Sequence, residues 1–270
     1  MRIVILTSLR KGTASYFVPV LKEKARAEIV QVIYCQPVVR SKSRYYRQKL
    51  RKVWKIGIGG ALNGIRMRKW FSVQEIDGRS LEDIEAVCKK NDVPFTVAEG
   101  INSAQTAEKM RACQADLGLS LGNSYIASKI FSIPRYGMLN LHGEVLPQFQ
   151  NAQSVIWQLF EGSDHTGYTI HQIDKKIDTG DILKQEIIPI QFRDTLGGTV
   201  AASCAEILKR SALGLAEVIN HFDRCRQEKK TQGTGKSYTT PSLGQFIRIY
   251  SNYKKLKKSH VRDIGNTNKV

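Results

Sequence analysis

The chain has no run of about 18 apolar residues, so its sequence predicts no membrane-crossing helix. Its five cysteines, Cys35, Cys88, Cys113, Cys204 and Cys225, are odd in number, scattered, and form no Cys-x-x-Cys pair. That spacing argues against a disulfide framework and a cysteine-bound zinc, and fits a reducing, cytoplasmic setting. The opening stretch, residues 1–7, is too short for a signal-peptide core and reads as a first β-strand. No internal repeat is present. Acidic residues are the remaining shortage: 24 against 42 lysines and arginines, a formal net charge of +18. None lies between Glu28 and Glu75, while eleven basic residues accumulate from Arg40 to Lys69. A second basic stretch runs from Arg224 to the C-terminus. Such fields favour anionic partners, whether nucleotide phosphates, nucleic acid or an anionic membrane surface, against the plain alternative of a solvated basic arm.

With 270 residues the chain can bury one good core and carry a small additional unit. Strand over 2–7, helix from Ala14 to about Arg26 and strand from Glu28 to Tyr34 are the usual opening of a doubly wound sheet. Residues 36–75 interrupt the alternation and read as a basic, helical insertion. Helix 81–90, strand 94–98, helix 103–112 and strands 116–121 and 136–140 then resume it. A helix near 154–161, strands 167–173 and 182–190, and a long helix from Thr195 to about Phe222 follow. The predicted fold class is α/β, a Rossmann-like, mostly parallel sheet. Its main domain spans residues 1–225 and a basic C-terminal extension spans 226–270, starting as a linker and ending in a helix from Ser242 to Lys258.

What is present most distinctively is Asn140-Leu-His142-Gly-Glu144-Val-Leu146-Pro147, followed 38 residues after the asparagine by Asp178-Thr-Gly180. Period-2 alternation puts Asn140 and His142 on one face of a strand. Each of Asn140, His142 and Asp178 alone would fit an ordinary turn or core position. Together they supply a donor for a developing oxyanion, a group titrating near neutral pH and a carboxylate to tune it, which is what acyl transfer requires. A zinc-deaminase reading of His142-Gly-Glu144 lacks the downstream Pro-Cys-x-x-Cys, so no metal is expected. His165, His171, His221 and His260 have no partners at metal-ligand spacing and read as surface or core residues. Arg10-Lys11-Gly12-Thr13 follows the first strand, where a phosphate-binding loop and a plain polar turn are equally open readings.

The Asn-x-His pair, the Leu-Pro and the later Asp-x-Gly turn resemble those of the folate-dependent formyltransferases, over roughly residues 115–190. The resemblance implies 10-formyltetrahydrofolate as formyl donor, with Asn140, His142 and Asp178 catalytic. It implies a pterin pocket between the loop of Leu121, Gly122 and Ile126 and the loop beginning at Asp174. Gln150-Asn151 stands where the family often has Arg-Gly, in a loop that touches the substrate in relatives. The expected reaction is formyl transfer to a primary amine on a small anionic acceptor, with a nucleotide-linked amino sugar favoured. Methionyl-tRNA, glycinamide ribonucleotide, and hydrolysis of the donor are the alternatives within the enzyme class. A basic RNA- or membrane-surface-binding protein on an enzyme scaffold is the alternative outside it.

Overall fold

The computed structural model describes residues 1–37, 42–71, 73, 75–76, 79–151 and 153–267. In chain order the elements open with β1 (Arg2–Thr7), α1 (Thr13–Lys24), β2 (Glu28–Cys35) and α2 (Lys42–Met67). A short 3-10 turn at Arg68–Trp70 leads to β3 (Glu75–Ile76), β4 (Arg79–Ser80), α3 (Ile84–Lys90) and β5 (Phe95–Ala98). Then come α4 (Ala104–Ala112), β6 (Leu117–Ser120), α5 (Ser128–Phe131), β7 (Met138–His142) and α6 (Ile156–Glu161). The chain continues through β8 (His165–Gln172), β9 (Ile182–Pro189), α7 (Leu196–Asn220), α8 (Phe222–Gln227) and α9 (Leu243–Thr267).

Seven strands form one sheet in the order β5-β2-β1-β6-β7-β8-β9, and β3 and β4 pair as a separate small hairpin. The first five strands are parallel; β8 and β9 are antiparallel to their neighbours. The parallel strands read as continuous apolar runs because helices cover both faces: five of the six residues of β1, Ile3 to Thr7, are fully buried. One face packs on α1 and α7 through Phe17, Val18, Val200 and Leu215. The other packs on α4 and α5 through Met110 and Ile130. At α4 the Ser103 side chain accepts from Thr106 N, a cap that ends one orphan donor of the first turn.

The chain runs outward through β1, β2 and β5, then returns to β6 beside β1. That reversal opens a crevice at the carboxyl ends of β1, β6 and β7, where open α/β sheets bind ligands.

The expected insertion is helical: α2 fills most of residues 36–75, kinked at Gly57, whose φ of 74° lies in the left-handed region that glycine tolerates. Arg40 lies outside the described residues. The tail is not a loose linker. Gln150 N donates to Lys236 O at 3.0 Å, Tyr238 N donates to Gln150 O at 3.0 Å, and Trp157 Nε1 donates to Thr239 O at 3.0 Å. Tyr238 stacks on Phe149, and Ile249 and Tyr253 of α9 are buried in the main core.

Candidate active site

The site is built by strand register. In the antiparallel β7–β8 ladder Asn140 faces His171 and His142 faces Thr169, so four polar residues line one strip of sheet. Asn140 and His171 meet at 3.2 Å, Nδ2 to Nε2. The His171 Nδ1 lies 3.0 Å from the Gln172 carbonyl, which can only accept, so that nitrogen carries the proton. Nε2 of the neutral ring therefore accepts from the Asn140 amide. Burial pushes the His171 imidazole below its ordinary pKa, against the pull of Asp178, and keeps it in this neutral state.

His142 is held in the opposite sense. Its Nε2 donates to Phe149 O at 2.9 Å, which leaves Nδ1 facing Asp178 Oδ2 at 3.8 Å. The other oxygen of Asp178 stands 3.9 Å from His171 Nε2. One carboxylate thus sits between two imidazoles. Asp178 itself has a φ of 55°, a left-handed conformation uncommon outside glycine, asparagine and aspartate. The turn that imposes it is closed by Gly180, where any Cβ would collide with the Gln172 carbonyl. Asn151 N donates to Asp178 Oδ2 at 3.3 Å and Gln150 Nε2 donates to Asp178 O at 3.4 Å. The departure at Gln150-Asn151 is thereby in contact with the catalytic candidate.

These groups stand on the wall of a cleft of about 340 Å³, lined also by Ser120, Gly122, Ile126, Ile173, Asp174 and Ile177. Of the residues named for the folate pocket, Gly122, Ile126 and Asp174 lie on its walls. Leu121 does not: its side chain is buried behind the loop in the core, and its N–H donates to Leu6 O. Asp174 accepts from Thr179 Oγ1 and from Lys176 N, so its loop is braced from within. The slot pairs isoleucine side chains with a few polar groups, the donor set a flat, hydrogen-bonding ring needs.

A second cavity of about 440 Å³ adjoins the first across Leu141, lined by Lys11, Gly12, Thr13, Arg68, Phe71 and Leu208 among others. Sequence reading gave only its first corner. Arg10 does not face it: the guanidinium pairs with Asp83 at 3.2 Å and Glu85 at 2.9 Å and lies 4.7 Å over the Tyr34 ring. Behind this cavity Glu144 is fully buried, accepts from Gln158 Nε2, and is pushed by burial up to about 8. Burial likewise holds the nearby Cys204 thiol up at about 12, far from a nucleophilic thiolate.

His171 and the second cavity are what sequence reasoning missed. The pairing of 138–142 with 169–172 was the signal for His171: two adjacent strands with polar residues at matched alternation. Among the described residues no group of histidine, cysteine or carboxylate side chains could hold a metal ion.

An α/β sheet with a switch-point cleft and an Asn-His-Asp cluster defines the class, and comparison with known proteins shows what the chain is similar to. Residues 79–210 match the family described as Formyl transferase. Over these residues, just under half of the chain, it is similar to the folate-dependent formyltransferases. It is 32% identical over 113 residues to methionyl-tRNA formyltransferase of Thermotoga maritima, covering 42% of this chain and 36% of that one. It is 35% identical over 107 residues to the bifunctional polymyxin resistance protein ArnA of Wigglesworthia glossinidia brevipalpis, covering 39% of this chain and 16% of that one. The matches thus span well under half of these relatives. In fold it resembles glycinamide ribonucleotide transformylase 1 from Symbiobacterium toebii, with a TM-score of 0.57 at 18% identity, covering 87% of this chain and 94% of that one. It also resembles the N-formyltransferase from Helicobacter canadensis in complex with folinic acid and dTDP-3-aminofucose, with a TM-score of 0.52 at 13% identity, covering 93% and 79%.

Proposed function

We propose that the chain transfers a formyl group from 10-formyltetrahydrofolate to a primary amine, with a nucleotide-linked amino sugar as acceptor. The observation that carries this reading is the convergence of Asn140, His142 and Asp178 on one cleft, with a second, cationic cavity adjoining it. The donor would lie between the loops of residues 120–126 and 174–178, its ring in the slot of Ile126, Ile173 and Ile177. Bound there, it supplies an activated formyl carbon.

The chain's own groups then have distinct tasks. Asn140 gives one amide proton to His171 and keeps the other for the negative charge that develops on the formyl oxygen. His142, with Nε2 tied to a carbonyl, exchanges protons at Nδ1 alone. Asp178 lies on that side at 3.8 Å, a distance that one water bridges or closure shortens, and the pair removes the proton the amine must lose. New C–N bond formation is matched by cleavage of the donor's C–N bond, and the departing nitrogen takes up a proton.

Lys11 and Arg68 suit a phosphate, Phe71 offers a face for a base, and Thr13, Ser154 and Ser211 offer hydroxyls to a sugar. The Helicobacter enzyme of the same fold is described with a nucleotide-linked amino sugar, in line with this acceptor. The test is mass spectrometry of amino-sugar nucleotides, glycinamide ribonucleotide and methionyl-tRNA, each incubated with the chain and 10-formyltetrahydrofolate. Formylation of the sugar nucleotide in preference to the others is expected. Formylation of another acceptor, or donor hydrolysis alone, would overturn the choice of acceptor.

A further inference from the structure

Along α2 the packing order of a helix in a water-soluble protein is reversed. Its small residues face inward: Gly60 lies against Pro241 and Ser242, Gly64 against Thr240, and Gly59 against Leu243. Ile56 and Met67 complete that buried side. The large apolar side chains point the other way. Leu50 is 61% exposed, Trp54 88%, Ile58 74%, Leu62 64% and Ile65 60%. They follow helical spacing within each arm of the kinked helix, and α9 extends the patch with Leu243, Ile247 and Tyr250, all exposed. Meanwhile α9 satisfies its own packing on the opposite side, through Phe246 on Trp70, Ile249 and Tyr253. The exposed row is therefore not a core face awaiting the rest of the fold. Contiguous apolar patches of this kind mark interaction surfaces.

We propose that the outward face of α2 and the start of α9 dock on an anionic lipid bilayer, lying in the interface without crossing it. The described helices contain none long and apolar enough to cross. Arg51, Lys52, Lys55, Arg66 and Lys69 are exposed beside the row, and no acidic residue occurs between Glu28 and Glu75. Such helices bury an apolar face among acyl chains while lysine and arginine reach the headgroups. A second copy would set two strongly positive faces against each other. Nucleic acid would use the cations and leave the tryptophan, leucine and isoleucines without a role. Arg68, near the end of the basic run, also lines the second cavity.

Flotation of the full chain with phosphatidylcholine vesicles, with and without phosphatidylglycerol, tests this. The chain is expected to float only with the anionic vesicles and to be released by high salt. Leu50→Glu/Trp54→Glu/Leu62→Glu should abolish flotation. Arg51→Gln/Lys52→Gln/Lys55→Gln should weaken it by roughly a hundredfold, about fivefold per charge. Unchanged circular dichroism in both variants excludes misfolding, and all six positions are exposed. No flotation with anionic vesicles, or equal flotation with neutral ones, would overturn the proposal. So would a wild-type dimer in sedimentation that the apolar variant breaks without any vesicle binding, which assigns the face to a second copy. Binding of an RNA oligomer lost only in the charge variant, again without vesicle binding, would assign it to nucleic acid.

Discussion

The ends of β7 and β8 and the outer face of α2 both depart from the usual sorting of side chains, in opposite directions. At the strand ends, polar and ionisable groups are sunk among apolar neighbours, yet each is partnered: Asn140 by His171, His142 by the Phe149 carbonyl, Asp178 by Asn151 N. On α2, large apolar groups stand in water on a basic helix while glycines occupy the buried side. Burying polar groups and exposing apolar ones both cost stability. Neither departure is needed to hold the sheet together. In the proposed function the strand-end cost is repaid by the preorganisation that a transition state requires; in the proposed docking the α2 cost is offset when an apolar surface covers it.

The largest expected effect breaks the strand-end side of this contrast. His142→Ala and Asn140→Ala should each slow formyl transfer by roughly two orders of magnitude or more, the usual loss for a proton shuttle or an oxyanion donor. Donor affinity, measured by titration calorimetry with a folate analogue, should change far less, because both groups act on the transition state. Near wild-type turnover would place the chemistry elsewhere. Asp178→Asn should lower the rate by about tenfold to a hundredfold, as an uncharged group removes the proton acceptor while the amide tolerates the left-handed backbone.

His171 sharpens the comparison because it touches Asn140 and acts through it. His171→Phe should lower kcat by roughly tenfold through misplacement of the Asn140 amide, with donor affinity kept. His171→Gln, which can still accept from Asn140, should recover part of that loss. Equal kcat in both variants would make His171 a packing residue.

The smallest effect concerns Glu144. Its carboxyl is held protonated by burial, with a folded value of about 8 against an ordinary 4.5. Stability from the neutral form is fully present below about 4.5 and is lost as pH rises through 8, since the unfolded chain releases the proton first. Glu144→Gln keeps the size and can still pair with Gln158. It should raise the melting temperature at pH 8.5 more than at pH 5, by several degrees. An equal shift at both pH values would show that Glu144 is ionised in the folded chain.

The parallel half of the sheet was legible in the sequence because its strands are buried on both faces and write themselves as apolar runs separated by helical periods. Asn140, His142 and Asp178 were legible because two share a strand face and the third follows in a glycine turn. His171 was not, since a lone histidine in an apolar strand reads as core until the antiparallel register puts it opposite Asn140. The second cavity was hidden for a related reason: Lys11, Phe71 and Leu208 are far apart in sequence and meet only when the turn after α2 has folded against α7. The tail read as a linker because residues 231–236 are polar and glycine-rich. Its attachment rests on backbone hydrogen bonds and on Tyr238 stacking, which leave little trace in composition.

The most direct measurement is a single-turnover comparison of wild type and Asn140→Ala, with 10-formyltetrahydrofolate and an amino-sugar nucleotide in one mixture and donor binding followed in parallel. Transfer slowed by about a hundredfold at an unchanged donor Kd is the predicted result, since the lost amide proton serves only the charge that develops during transfer. Transfer at the wild-type rate, or a loss that appears entirely as weakened donor binding, would contradict the assignment of the β7 strand end as the catalytic centre.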